Sequence, residues 1–124
     1  MGKSVHNDVL DASLNYIKNN TTRITVCTSE PTTYTQATST YMLAMRTGLT
    51  SASFTGPSAG DISGRKLITN QQTDITITNS GTALHVALTT ESVLLYVTTC
   101  TSQALTSGNV VTCPEWKVEI ASPS

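Results

Sequence analysis

The sequence predicts an all-β chain: an antiparallel β-sandwich or flattened barrel of about seven strands, preceded by one short N-terminal helix. Three observations predict it. Thr and Ser together make up 38 of the 124 residues, 24 Thr and 14 Ser, and Thr is stiff at χ1 and suits a pleated surface better than a helix interior. Beyond residue 22 the apolar residues recur with a period of two, as in half-buried strands. Turn-forming Gly, Asn, Ser and Pro punctuate those runs. A chain of this length builds one domain, residues 1–124, with the helix over 7–20 and the sandwich over 22–120.

In the helix, Leu10, Leu14 and Ile17 share a stripe, with Val9, Ser13 and Tyr16 beside it. Asn7 is the expected N-cap, Asp8 and Asp11 favour the positive end of the dipole, and Lys18 favours the negative end. Asn19 and Asn20 tolerate left-handed backbone and are expected to end it. Such a short helix is marginal alone in water, so its apolar stripe must dock, either capping the sandwich or meeting another copy.

The strands follow in order. Ile24 and Val26 alternate with Arg23, Thr25 and Cys27. Tyr41, Leu43 and Met45 alternate with Met42 and Ala44, and Ile75 and Ile77 with Thr76 and Thr78. Leu84, Val86 and Leu88 form one face of a strand, and Thr89 to Ser92 connects it as a hairpin to Val93 through Cys100. That second arm is apolar on both sides, as a covered central strand is. In a last unit from Val110 to Ile120, Trp116, Val118 and Ile120 share a face. Leu49 to Gly64, rich in Ser, Gly and Pro, is expected to be a surface loop.

Composition narrows the function. Charged residues are 12% of the chain and the formal net charge is -1, which argues against a basic nucleic-acid surface and against a highly charged disordered chain. No run approaches the roughly 18 apolar residues that span a bilayer. The start, from Met1 to Asp8, has neither a signal-peptide core nor a myristoylation pattern, so synthesis in a cytosol is expected.

Several patterns touch on chemistry. Gly56-Pro57-Ser58-Ala59-Gly60 has the spacing of a nucleophile elbow, but an elbow needs a parallel strand before it and a helix after it, and neither is expected here. Gly60 to Lys66 has phosphate-loop character with the glycines one residue too close and no hydroxyl after Lys66, so a turn into a strand is the expectation. His6 and His85 stand far apart, too few for a metal site. Cys27, Cys100 and Cys113 are expected to be reduced, apolar-like thiols, with a Cys100–Cys113 cross-strand disulfide as the alternative. Two overlapping sequons at Asn19 and Asn20 read as a polar helix end. Tyr34 and Tyr41 are candidates for an exposed aromatic platform or for interface contacts. No cofactor is expected.

Asn7 to Asn20, Val26 to Tyr34, Ser63 to Lys66, Leu94 to Cys100 and Trp116 to Ala121 together resemble a group of small proteins encoded by tailed bacteriophages. The resemblance runs along nearly the whole chain. The most similar of them are small virion components, closest in type to the capsid decoration, cement or staple proteins of short-tailed phages. The resemblance implies a non-enzymatic structural protein, made in the host cytoplasm and placed on the capsid surface, which bridges major capsid subunits as a homodimer or homotrimer without nucleic acid or membrane. A tail or adhesion component binding a host surface glycan is the alternative. Such families carry no catalytic motif to transfer, so Leu10, Leu14, Ile17, Tyr34 and Tyr41 enter only as candidate interface residues.

Overall fold

The computed structural model describes residues 6–61 and 64–120. Its first element, α1 (Asn7–Asn20), has the expected bounds with different caps. His6 is the N-cap, its Nδ1 accepting the Asp8 N–H at 3.0 Å. At the other end the helix runs through both asparagines and stops at Thr21, whose backbone is extended. The Thr21 hydroxyl donates to the Ile17 carbonyl at 2.6 Å, and the Asn20 amide donates to Tyr16 O. Side-chain and backbone donors thus satisfy the last carbonyls without a left-handed residue.

The strands are β1 (Arg23–Cys27), β2 (Met42–Arg46), β3 (Phe54–Ala59), β4 (Arg65–Thr69), β5 (Gln72–Thr76), β6 (Gly81–Thr89), β7 (Leu94–Leu105), β8 (Val110–Cys113) and β9 (Trp116–Ile120). They form three antiparallel sheets, ordered β2-β1-β6-β7, β3-β4-β9 and β5-β8. The fold is the expected all-β sandwich, with nine strands among the described residues rather than about seven. One buried cluster joins Ile24, Val26 and Val86 of the first sheet, Phe54, Leu67 and Val118 of the second, and Ile75 and Val111 of the two-stranded ribbon. The ribbon is stitched to the free side of β2 by the Ala44–Ile77 bridge and by Thr78 and Asn79 donating to Leu43 O.

Leu14 is fully buried in that same cluster, Leu10 is 8% exposed, and Ile17 packs against it. The helix therefore caps the sandwich, beside β3 and β4. The Arg65 guanidinium holds the Asp11 carboxylate through two bonds, 2.7 and 3.3 Å, and Lys18 Nζ donates to Gly56 O at 2.7 Å.

Four expectations change. The second arm of the hairpin, β7, is apolar on both sides yet lies at the edge of the first sheet rather than at its centre, with β6 as its partner. The segment from Leu49 to Gly64 is not one loop, because β3 lies inside it and pairs with β4. Pro57 lacks an N–H and Gly56 has φ +108°, features that a strand tolerates at an edge or a bulge, and β3 has both: among the described residues β4 is its only strand partner, and its register shifts between Thr55 and Ser58. The last unit is two strands, since the chain leaves the ribbon at Pro114 and enters the second sheet as β9. Within β6 the inward residues are Ala83, Val86 and Leu88, while Leu84 is 40% exposed. A register shift against β7 breaks the alternation there.

The outer face of the first sheet is covered too. Thr25, Cys27, Ala87 and Thr89 are buried although they lie outside the core cluster. Residues 28–41, including a π-helical turn at Gln36–Thr40, lie over part of this face. The Cys27 thiol donates to Ala37 O at 3.5 Å and Arg23 donates to the Tyr34 hydroxyl at 2.6 Å.

Candidate functional site

A concave feature opens between β7 and the corner where β8 turns into β9. Two contiguous cavities, about 530 and 150 Å³, share Cys100, Thr101, Cys113 and Pro114. The larger lies within the 300–1,000 Å³ common for ligand sites. Val86 of the first sheet lines both cavities, and Val26 and Ala83 add to the apolar floor of the smaller one. Trp116 lines the far wall, stacked on Tyr96 with ring centroids 5.7 Å apart.

The geometry of the hairpin makes this opening. Ala83 pairs with Gln103 and His85 with Thr99, so one residue of β6, Leu84, faces three of β7, Cys100 to Ser102. A bulge of that kind bends its strand and re-aims side chains. Among the described residues β7 pairs only with β6, β8 only with β5, and β9 only with β4, so the groove is flanked by free strand edges. The Trp116 Nε1 is shielded from solvent and has no hydrogen-bond partner.

Two of the three thiols line the groove, and all three are free. Burial pushes the Cys113 thiol up to about 11, with the neighbouring Cys100 adding to the shift, and raises Cys27 and the more open Cys100 as well. Thiolate, the reactive form, is therefore scarce at neutral pH.

A charged cluster ties down the chain before β4. Asp61 receives Lys117 and Lys66, the latter at 2.7 Å, while its own N–H donates to Glu119 Oε1 at 2.7 Å. Hydrogen bonding from Lys117, then from Lys66, lowers the Asp61 carboxyl to about 2, and the same contact raises Lys117.

The other sequence candidates fall elsewhere. Ser58 is half-buried within antiparallel β3, Cα-paired with Lys66, and the next element is a strand, so the elbow geometry is not formed. Arg65 and Lys66 open β4, as the turn-into-strand reading expects, with Asp11 and Asp61 as their partners. Ile62 and Ser63 of the loop before them, and the chain start Met1 to Val5, lie outside the described residues. His85 is half-buried on the side away from the core, and its Nδ1 has no partner. Among the described residues no three His, Cys, Asp or Glu side chains converge as a metal site requires.

Leu10 and Leu14 are engaged by the chain's own core and leave little surface for a second molecule. Tyr34 and Tyr41 are half-buried, and the Tyr34 hydroxyl is occupied by Arg23. The structure brings none of the five candidate interface residues to the groove. The bulge and the free edges that make the groove carry no signal in composition or spacing. Pro114, between the two runs of the last unit, was the one local sign of a corner. The chain matches no protein family, no curated protein and no solved structure.

Proposed function

We propose that the chain is a structural protein of a tailed-phage virion: a decoration protein that reinforces the capsid by bridging neighbouring major capsid subunits. The observation that carries this reading is the long free edge of β7, twelve residues with a strand on one side only and an open groove alongside. An unpaired edge invites strand addition, and proteins that stay monomeric usually blunt theirs with charge, proline, a bulge or a cover; β7 has register shifts near Leu95 and at Cys100 to Ser102, with the regular stretch Tyr96 to Thr99 between them. Here β7 carries no charged residue and no proline. Low charge over the whole chain and an abundance of Thr hydroxyls suit a broad, polar contact made of many short hydrogen bonds.

On a shell the same contact repeats, so a modest interface gains from multivalent attachment. Closed symmetry on such a lattice favours a dimer on a two-fold or a trimer on a three-fold axis. The resemblance to small virion components supports the same reading. Quantitative mass spectrometry of purified particles, referenced to the major capsid protein, tests it. Decoration predicts a copy number comparable with that of the shell subunits; a count comparable with that of tail components would move the chain to the tail, and its absence would remove the virion role.

A further inference from the structure

We infer that the groove between β7 and the β8–β9 corner is a strand-acceptor site, which takes one extended, uncharged segment of another polypeptide, paired along β7 with alternate side chains in the cavity. The inference deepens the adhesive reading above and rests on it only for the partner's source. Backbone chemistry selects the occupant. Among the described residues the outward N–H and C=O groups of β7 have no strand partner, and an extended backbone is the ligand that matches the regular stretch of that edge, Tyr96 to Thr99, beside the bulge at Cys100 to Ser102. A small apolar molecule would fill the cavity and leave that row unmatched.

Charge and area narrow the choice further. The one charged side chain on the lining is Lys117, already held by Asp61. A charged occupant would lose hydration without gaining a partner, so the segment is neutral. A second copy pairing through its own β7 is the natural rival. At roughly 30–40 Å² per interface residue, however, twelve residues bury only about 400 Å² per partner, half of a standard interface. A separate segment seated between two walls is enclosed on more sides and reaches further into the apolar floor.

The chain holds one Trp, and it lies in the groove, so its emission reports occupancy. The probe is a capped heptapeptide, Thr-Val-Ser-Ala-Ser-Val-Thr, about 23 Å long when extended, with a control in which the central Ala is Pro. The expected result is a saturable change in Trp emission with a Kd of about 1 mM or tighter, and slowed amide exchange within residues 98–101. Thr101 is exposed on the groove rim, so Thr101→Arg should keep the fold and weaken binding at least tenfold. Absence of binding, equal binding by the Pro control, or an emission change without protection of β7 would overturn the inference. Particle composition is a separate readout. A groove that binds the peptide in a chain missing from virions removes the phage role alone, and an inert groove in a chain abundant in virions removes the acceptor site alone.

Discussion

Replacing Leu14 by Ala tests whether α1 belongs to the core of its own chain. Leu14 is fully buried within the cluster that contains Phe54 and Leu67, whereas Tyr16, two residues on, is 58% exposed. Truncating a buried Leu loses its transfer free energy and leaves a cavity, together about 2–5 kcal/mol. Because the surrounding side chains come from rigid strands, we expect about 3 kcal/mol, a large share of the roughly 5–15 kcal/mol that a domain holds in total. With a urea m-value near 1.5 kcal/mol/M the unfolding midpoint falls by about 2 M, and the melting temperature by roughly 10 °C. Tyr16→Ala should stay within about 0.5 kcal/mol. Urea melts followed by circular dichroism, with sedimentation of each variant, make the comparison. A Leu14→Ala cost below about 1 kcal/mol, or a change in oligomer mass at unchanged stability, would refute the docking argument and return the helix stripe to the surface.

Further expectations concern the thiols, the acid side and one glycine. The rise of the Cys113 pKa from 9.0 to about 11 lowers its thiolate fraction about a hundredfold near neutral pH. Alkylation of the native chain at pH 8, mapped by mass spectrometry, should therefore modify Cys100 first, and equal rates at Cys100 and Cys113 would contradict the burial account. The same shift contributes stability that is complete below about pH 9 and lost as pH rises through 11, because the unfolded thiol ionises first. Asp61 has the opposite sign. Its carboxyl is lowered to about 2, so the contribution of its lysine contacts is present above the usual carboxylate pKa of about 3.9 and lost as pH falls through 2. A carboxyl NMR titration should place its midpoint near 2, and Lys117→Gln should move it upward. Gly56→Ala puts a Cβ 3.2 Å from Lys66 O at φ +108°, which should cost about 1–3 kcal/mol in thermal melts; an unchanged melting temperature would show that β3 bends freely there.

The helix was legible because its apolar stripe and its polar ends agree, and both lie within one short segment. The alternating runs at β1 and β2 were legible for the same reason, since each faces the same core, whereas the run of β7, apolar on both sides, reads as a covered central strand and lies at the edge of its sheet. What escaped depends on pairing between distant segments. Leu84 reads as a core residue by parity, yet the two extra residues of β7 opposite it turn it out. Gly56 and Pro57 read as loop residues, since nothing local reveals that a β4 partner will accept a bulged edge strand. The cap at His6 in place of Asn7 reflects an imidazole nitrogen reaching the Asp8 N–H as well as an amide would. The groove has no local signature at all. It arises where a bulge in β7, a corner at Pro114 and unpaired edges meet, so only the assembled chain displays it.

An electron-density map of the intact particle, at a resolution where strands separate, tests the central claim most directly. The account predicts this fold repeated over the shell on its symmetry axes, with the free edge of β7 toward the capsid subunits and an extended segment of shell protein beside Cys100 and Thr101. Density for the chain only at the tail, or on the shell with β7 facing solvent, would contradict it.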